Sequence, residues 1–275
     1  MLLSRLIRKR SNVSCYFITG TGRCGTMLVS RLLSQGQNTH CDHECSIQYS
    51  KMKPAYLTGD MGHLYEEIDA IIEPRTTSHN RKGRIYGESS GLLYLAFDEL
   101  YRRYGKEARF ILLTRRPDTF VRSALARGFF DPDHAHCLEH LRPHPTAEIG
   151  KRWETANAFE KCLWYWDFVN GLVYDFFLTL PEGLWKIQPI ETFDISACQQ
   201  FYRFLEIEGF EKKREAIKDL LSVRINGTPG LGDDRQRNPW SVPMMLGDRS
   251  TWDANQQDAY DRWTKRLFGI LYPES

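Results

Sequence analysis

Gly20-Thr21-Gly22-Arg23-Cys24-Gly25-Thr26 carries the first chemistry legible in this chain. A short apolar run, Cys15 to Thr19, precedes it, and Leu28, Leu32 and Leu33 follow at helical spacing. A glycine-rich turn between a strand and a helix presents successive backbone N–H groups at the positive end of the helix dipole. That arrangement binds anions, phosphates above all. The spacing from Gly20 to Gly25 matches the frame of an ATPase phosphate loop, yet Thr26 stands where that loop needs its lysine. ATP hydrolysis is therefore disfavoured. Arg23, inside the loop, offers a guanidinium fork to a terminal anionic group instead. Cys24 sits at a helix start, where a thiol pKa can fall; packing is its expected role.

A second constellation stands further along. Arg109 to Thr114 reads as a buried strand, Arg115-Arg116-Pro117-Asp118 turns out of it, and Pro117 suits the first turn of a helix running to about Ala126. Arg115 at the strand end and Ser123, eight residues on, can converge on one anion. In a parallel sheet both strand ends lie on the carboxyl edge, where open α/β sheets bind ligands. Two anion sites on one edge suit a nucleotide with phosphates at its 5′ and 3′ positions. Arg115 and Arg116 also read as an ordinary solvated pair at a turn.

Between these motifs lies His40-Cys41-Asp42-His43-Glu44-Cys45. His43 titrates near neutrality and suits proton transfer. Cys41, His43 and Cys45 alternate and read alternatively as a metal site, with Cys137, His134, His136, His140 and His144 as a distant second set. The two-residue gaps usual in structural zinc sites are missing, so no metal is expected.

The elements that must position these groups follow an alternating pattern. Arg84 to Tyr86 reads as a short strand ended by Gly87, with a helix through Leu92, Leu95 and Phe97. Lys151 to Leu180 reads as one long buried helix ended by Pro181 and Gly183. Trp185 to Gln188 reads as a strand and Ile195 to Leu205 as a helix. Strands alternating with helices imply an α/β fold with a mostly parallel central sheet. Phe129 to Pro145 reads as an excursion from the core, and Ile225 to Asp248 as a long loop.

Composition narrows the classes. The 275 residues are enough for one domain, taken as 1–275, and 41% apolar with 26% charged residues is ordinary for a globular chain. A net charge of +2 points to no nucleic-acid partner. No apolar run reaches the roughly 18 residues of a membrane span, so no stable membrane insertion is expected. Seven irregularly spaced cysteines argue against a disulfide framework and for a reducing compartment. Met1 to Arg10 is too short for a secretory segment. A cytoplasmic protein is expected.

Together the motifs resemble the 3′-phosphoadenosine-5′-phosphosulfate (PAPS)-dependent sulfotransferase superfamily. Ile18 to Leu28 resembles its 5′-phosphosulfate loop, in the bacterial and tyrosylprotein-like variant with arginine in place of lysine. Leu113 to Asp118 with Ser123 resembles its 3′-phosphate motif. Pro189 to Phe193 with Phe201 to Leu205 is similar to a later strand end and its helix, and Trp252 to Tyr272 to its closing helix. The resemblance implies a phosphate-loop-like nucleotide-binding fold, with PAPS as cosubstrate and PAP (the desulfated nucleotide) as product. It implies that Arg23 contacts the 5′-phosphosulfate, cradled by Gly22, Cys24, Gly25, Thr26 and Met27. Arg115 and Ser123 take the 3′-phosphate, and Arg224, in a late loop, reaches the 3′-phosphate or adenine. Glu44 matches the family's base in position, with His43 as second choice. Ser89 stands where many bacterial relatives carry a lysine, which leaves the cation near the leaving group to another residue. The acceptor is a hydroxyl or amine on a carbohydrate, lipid, peptide or polyketide. Two other readings are a nucleotide kinase, which needs the absent lysine, and a module that binds a nucleotide without turnover.

Overall fold

The computed structural model describes residues 12–45, 59–131, 141–222 and 246–273. Five strands form one sheet: β1 (Cys15–Thr19), β2 (Thr39–His43), β3 (Ile85–Ser89), β4 (Ala108–Thr114) and β5 (Trp185–Pro189). Their order is β2-β3-β1-β4-β5, and every neighbouring pair is parallel. The mostly parallel α/β sheet expected from alternation is present. Parallel pairing puts the ends of all five strands on one edge, with Ser89 level with both Ile18 and His43.

Side chains alternate across the sheet and feed two cores. Cys15 and Phe17 of β1 pack into one, Tyr16 and Ile18 into the other. The first core is covered by α2 (Gly62–Glu67), α4 (Phe97–Tyr104), α5 (Pro117–Leu125), α6 (Ala158–Phe177) and α9 (Ala254–Thr264). The second is covered by α1 (Thr26–Leu33), α7 (Ile195–Phe204) and α8 (Phe210–Ser222). α3 (Glu73–Arg81) follows α2 through a π-helical turn, Ile68–Ile72, and packs beside β3. α10 (Phe268–Leu271) ends the described chain, so the expected closing segment is two helices.

Several expected boundaries shift for visible reasons. The long helix begins at Ala158 because Asn157 caps it, its side chain accepting from the Glu160 N–H at 2.9 Å. Before that cap, Gly150–Arg152 is only a short 3₁₀ turn. Gly87 does not end β3 but lies inside it: the Tyr16 ring fills the space a Cβ there would take, 2.2 Å away. The helix expected through Leu92 and Leu95 is a 3₁₀ turn, Leu93–Leu95, followed by α4. β2 is an unexpected strand, because its polar residues carry no apolar alternation. The greater part of the loop expected from Ile225 onward, including Arg224 before it, lies outside the described residues. So do Cys137, His134, His136 and His140.

Candidate functional site

The loop after β1 takes its shape from left-handed backbone. Gly22, Arg23 and Gly25 have φ of 70°, 55° and 89°. Only glycine adopts such angles freely, so Arg23 is the exception the fold must hold in place. The loop is also pressed from its sides. A Cβ on Gly20 would lie 2.4 Å from the Leu113 carbonyl of β4, and one on Gly25 would lie 2.5 Å from the Ile190 side chain. Cys24 is buried in the second core, which pushes its thiol up to about 12. It packs, as expected.

The motif after β4 closes directly on this loop. Arg115 donates from its guanidinium to the Arg23 carbonyl at 2.9 Å and from Nε to Thr119 Oγ1 at 3.2 Å. Its own carbonyl accepts from Trp166 Nε1 of α6 at 2.8 Å. Arg23 Nε in turn donates to Ser123 Oγ of α5 at 3.2 Å. Arg23, Arg115 and Ser123, predicted from two distant motifs, therefore stand in one cluster. The Pro189–Phe193 segment gains a physical role here. Glu191 accepts from the Arg116 N–H at 2.7 Å and from Thr119 Oγ1 at 3.3 Å, holding the start of α5. Arg116 itself stacks over Phe268, 5.3 Å from the ring centre.

A third guanidinium belongs to this cluster, and the sequence reading missed it. Burial, then Arg127, then Arg115 push Arg23 down to about 10, while Glu44 pulls the other way. Burial also lowers Arg127. Arg127 follows Ser123 by four residues, in the turn just past the end of α5. Like charges crowded in a half-buried place favour an anion between them.

The opposite wall is the end of β2. His43 Nε2 lies 3.2 Å from Thr26 Oγ1 at the start of α1. Burial, assisted by Arg31 and opposed by Glu44, lowers the His43 pKa from its ordinary 6.5. The ring is thus neutral near pH 7, with one nitrogen donating and one accepting. Glu44 is exposed, its Oε1 3.9 Å from His43 Nε2, and its φ is 53°. Of the two expected base residues, His43 touches Thr26 and Glu44 stands beside His43. Ser89, which stands in place of a lysine, donates to the Thr26 carbonyl at 2.9 Å. Met27 is half-buried in the first turn of α1.

Behind that wall lies a hydrogen-bonded acidic network. Tyr86 OH is 3.1 Å from Asp42 Oδ2 and 2.9 Å from Glu88 Oε2. Arg75 of α3 pairs with Asp42, and His40 Nε2 lies 2.8 Å from Asp42 Oδ1. Burial alone would raise the Asp42 carboxyl; the His40 hydrogen bond and Arg75 outweigh it and lower the pKa. The metal reading of this hexapeptide changes accordingly. Cys41 is buried against α1, its thiol pushed up to about 12 by burial. Among the described residues, the grouping with metal-ligand spacing is Asp42, Cys45 and Glu88. Its carboxylates already accept from Arg75, Tyr86 and the Cys45 N–H.

No protein-family model and no curated protein matches this sequence. Solved structures do. A sulfotransferase from Alicyclobacillus acidocaldarius superposes with a TM-score of 0.52 at 16% identity, covering 94% of this chain and 95% of that one. The sulfotransferase domain of the Synechococcus PCC 7002 olefin synthase gives 0.44 at 12% identity, over 90% and 86%. The sulfotransferase domain from the curacin biosynthetic pathway gives 0.45 at 11%, over 73% and 76%. The first of these shows that the chain has the sulfotransferase fold over nearly its whole length. Among the described residues no helix is long and apolar enough to cross a membrane.

Proposed function

We propose that this protein is a sulfotransferase that moves the sulfuryl group of PAPS to a hydroxyl or amine, leaving PAP. The observation that carries this reading is the direct hydrogen bonding of the two candidate anion motifs to each other. Arg115 holds the Arg23 carbonyl, and Arg23 reaches Ser123, with no ATPase lysine at Thr26. In the reaction the loop N–H groups from Gly22 to Met27 and the Arg23 guanidinium bind the 5′-phosphosulfate. Arg115 and Ser123, with Arg224 from the late loop, bind the 3′ end. Arg127, whose charge acts on Arg23, is the candidate for the cation missing at Ser89.

Sulfuryl transfer needs an acceptor oxygen or nitrogen stripped of its proton and negative charge stabilised on the departing phosphate. Glu44 takes that proton. It is an exposed carboxylate beside His43, and its charge acts on Arg23. The neutral His43 ring, hydrogen-bonded near Thr26, orients the acceptor and is the second candidate base. The sulfur–oxygen bond to the nucleotide phosphate breaks as the new one forms, and the positive cluster takes up the charge left on PAP.

Incubating the protein with labelled PAPS and a metabolite extract, and reading products by mass, tests the proposal. Sulfated products that need the protein support it. In parallel, PAP should raise the melting temperature more than ATP with Mg²⁺. At 100 times its dissociation constant a ligand adds roughly 2.7 kcal/mol. A larger shift with ATP–Mg²⁺ favours a kinase. PAP binding without any transfer favours a nucleotide-binding module.

A further inference from the structure

Glu88 is fully buried on β3, directly behind the wall that carries Glu44. A buried carboxylate is costly unless donors surround it, so the donors around Glu88 matter. Its two oxygens are used differently. Oε2 lies 2.9 Å from Tyr86 OH, whose single proton also faces Asp42. Oε1 accepts the Cys45 N–H at 2.9 Å. Immediately before Cys45 stands Glu44, in the left-handed region at φ 53°, with its own N–H donating to the Ser89 carbonyl at 3.2 Å. The peptide groups on both sides of Glu44 are thus tied to two successive residues of β3.

This tether explains how a strained turn persists. A non-glycine residue in the left-handed region is strained and holds only where its surroundings over-determine it. β2 ends at His43; beyond it the Glu44 N–H still reaches the Ser89 backbone, whereas the Cys45 N–H reaches a side chain instead. The side chain of Glu88 supplies the missing acceptor. Behind it, Tyr86, Asp42, Arg75 and His40 fix Glu88 in turn.

We propose that Glu88 is the positioning residue for Glu44: by accepting the Cys45 N–H it holds the turn that aims the Glu44 carboxylate at the anion loop. The proposal rests on the reading of Glu44 as the base, yet its test needs no turnover. The His43 ring, 3.9 Å from Glu44, is a built-in sensor of where that carboxylate sits. Glu44 raises the His43 midpoint, and Arg31, the other charged group acting on it, lowers it.

The experiment is an NMR titration of His43 in the full chain. Glu44→Gln sets the scale, because it removes the charge without moving the turn. Glu88→Leu should lower the His43 midpoint by as much as Glu44→Gln does, and speed hydrogen exchange at the Cys45 amide. Glu88→Gln keeps an acceptor for that amide and should hold the midpoint near the wild-type value. A wild-type midpoint in Glu88→Leu overturns the proposal, as does an equal fall in Glu88→Gln. If Glu88→Leu does not fold, Glu88→Asp decides: it keeps the charge but draws the acceptor back from Cys45. An unmoved midpoint and unmoved exchange there overturn the proposal. Failure of the sulfuryl-transfer reading would appear instead as a wild-type protein that transfers nothing while this titration behaves as described.

Discussion

Along one sheet edge, the ends of β1 and β4 and the ends of β2 and β3 solve opposite electrostatic problems. The first pair gathers Arg23, Arg115 and Arg127, whose mutual repulsion and burial lower the Arg23 pKa. The second pair gathers Asp42, Glu44 and Glu88: Arg75 and Tyr86 reach Asp42, Tyr86 and the Cys45 N–H reach Glu88, and Glu44 is exposed beside His43. The cationic side concentrates positive charge beside the loop after β1. The acidic side, Glu44 excepted, is internally satisfied. The difference separates binding from chemistry: the positive pair should govern nucleotide affinity, and the negative pair should govern turnover. Each variant below breaks one side and asks whether the other notices.

The largest effect is expected at Glu44. Glu44→Gln keeps size and some hydrogen bonding but removes the carboxylate to which the proposed mechanism assigns the acceptor proton. General base catalysis commonly contributes about 10²- to 10⁴-fold, and turnover should fall within that range. PAP affinity by calorimetry should barely change, and His43→Ala should cost less turnover than Glu44→Gln. Near-normal turnover in Glu44→Gln with loss in His43→Ala would reverse the two roles.

The two sides also differ in how far the sequence revealed them. Gly20 to Thr26 and Arg115 to Ser123 are contiguous stretches in which spacing alone implies geometry. Their convergence follows from a parallel sheet that places β1 beside β4. The acidic side assembles from Asp42, Arg75, Tyr86 and Glu88, which meet only because β2 pairs with β3 and α3 packs beside them. β2 itself is Thr-His-Cys-Asp-His, with no apolar alternation to announce it. Neither α3 nor α8 was foreseen: α3 is largely polar, and α8 buries only Phe210 and Ile217. Arg127 had a usable signal, one helical turn past Ser123, but a lone arginine after a helix is too common to single out.

On the cationic side, Arg115→Ala should weaken PAP binding by about 1.5–3 kcal/mol, the usual worth of a hydrogen bond to a charged group. That is roughly 10- to 150-fold in affinity. Adenosine 5′-phosphosulfate, which lacks the 3′-phosphate, should lose little. Equal losses for both nucleotides would remove Arg115 from the 3′ end and leave it as a prop for the Arg23 carbonyl.

Asp167 tests the claim that donors, rather than depth, decide how these carboxylates ionise. Asp42 is half-buried and lowered, because His40 and Arg75 bind it. Asp167 on α6 is half-buried too, but its Oδ1 has no hydrogen-bond partner among the described residues, and burial pushes it up to about 6. Arg266 opposes that rise and Asp175 adds to it. A carboxyl raised in the folded state favours folding below its unfolded pKa, and that advantage is lost as pH rises through the folded value. The wild type should therefore lose stability as pH rises from about 4 to 6 on this account. Asp167→Asn should flatten that slope and stabilise the chain at pH 7 by on the order of 1 kcal/mol, after allowance for partial solvent screening. Denaturant midpoints at several pH values measure it. A destabilised Asn variant at pH 7 would mean that Asp167 has a partner when charged.

The smallest effect is expected at Ser123, and it is the most direct probe of whether the two motifs share the proposed anion site. Ser123 Oγ accepts from Arg23 Nε at 3.2 Å, so this hydroxyl serves the loop after β1 as well as the helix after β4. In the proposed complex the same hydroxyl donates to the 3′-phosphate. Ser123→Ala therefore removes one hydrogen bond to the nucleotide and frees one Arg23 donor. Loss of a single neutral hydroxyl is worth about 0.5–1.5 kcal/mol, and the freed guanidinium, able to turn toward the nucleotide, offsets part of it. PAP should bind only a few-fold more weakly. A double-mutant cycle with Arg23→Ala separates the two effects, because groups in one hydrogen-bonded network are non-additive. With Arg23 already removed, Ser123→Ala should cost more PAP affinity than it does in the wild type, since the compensating donor is gone. Strict additivity would mean that the Arg23–Ser123 contact does not persist when the nucleotide binds, and that the loop and the helix address the 5′ and 3′ ends independently.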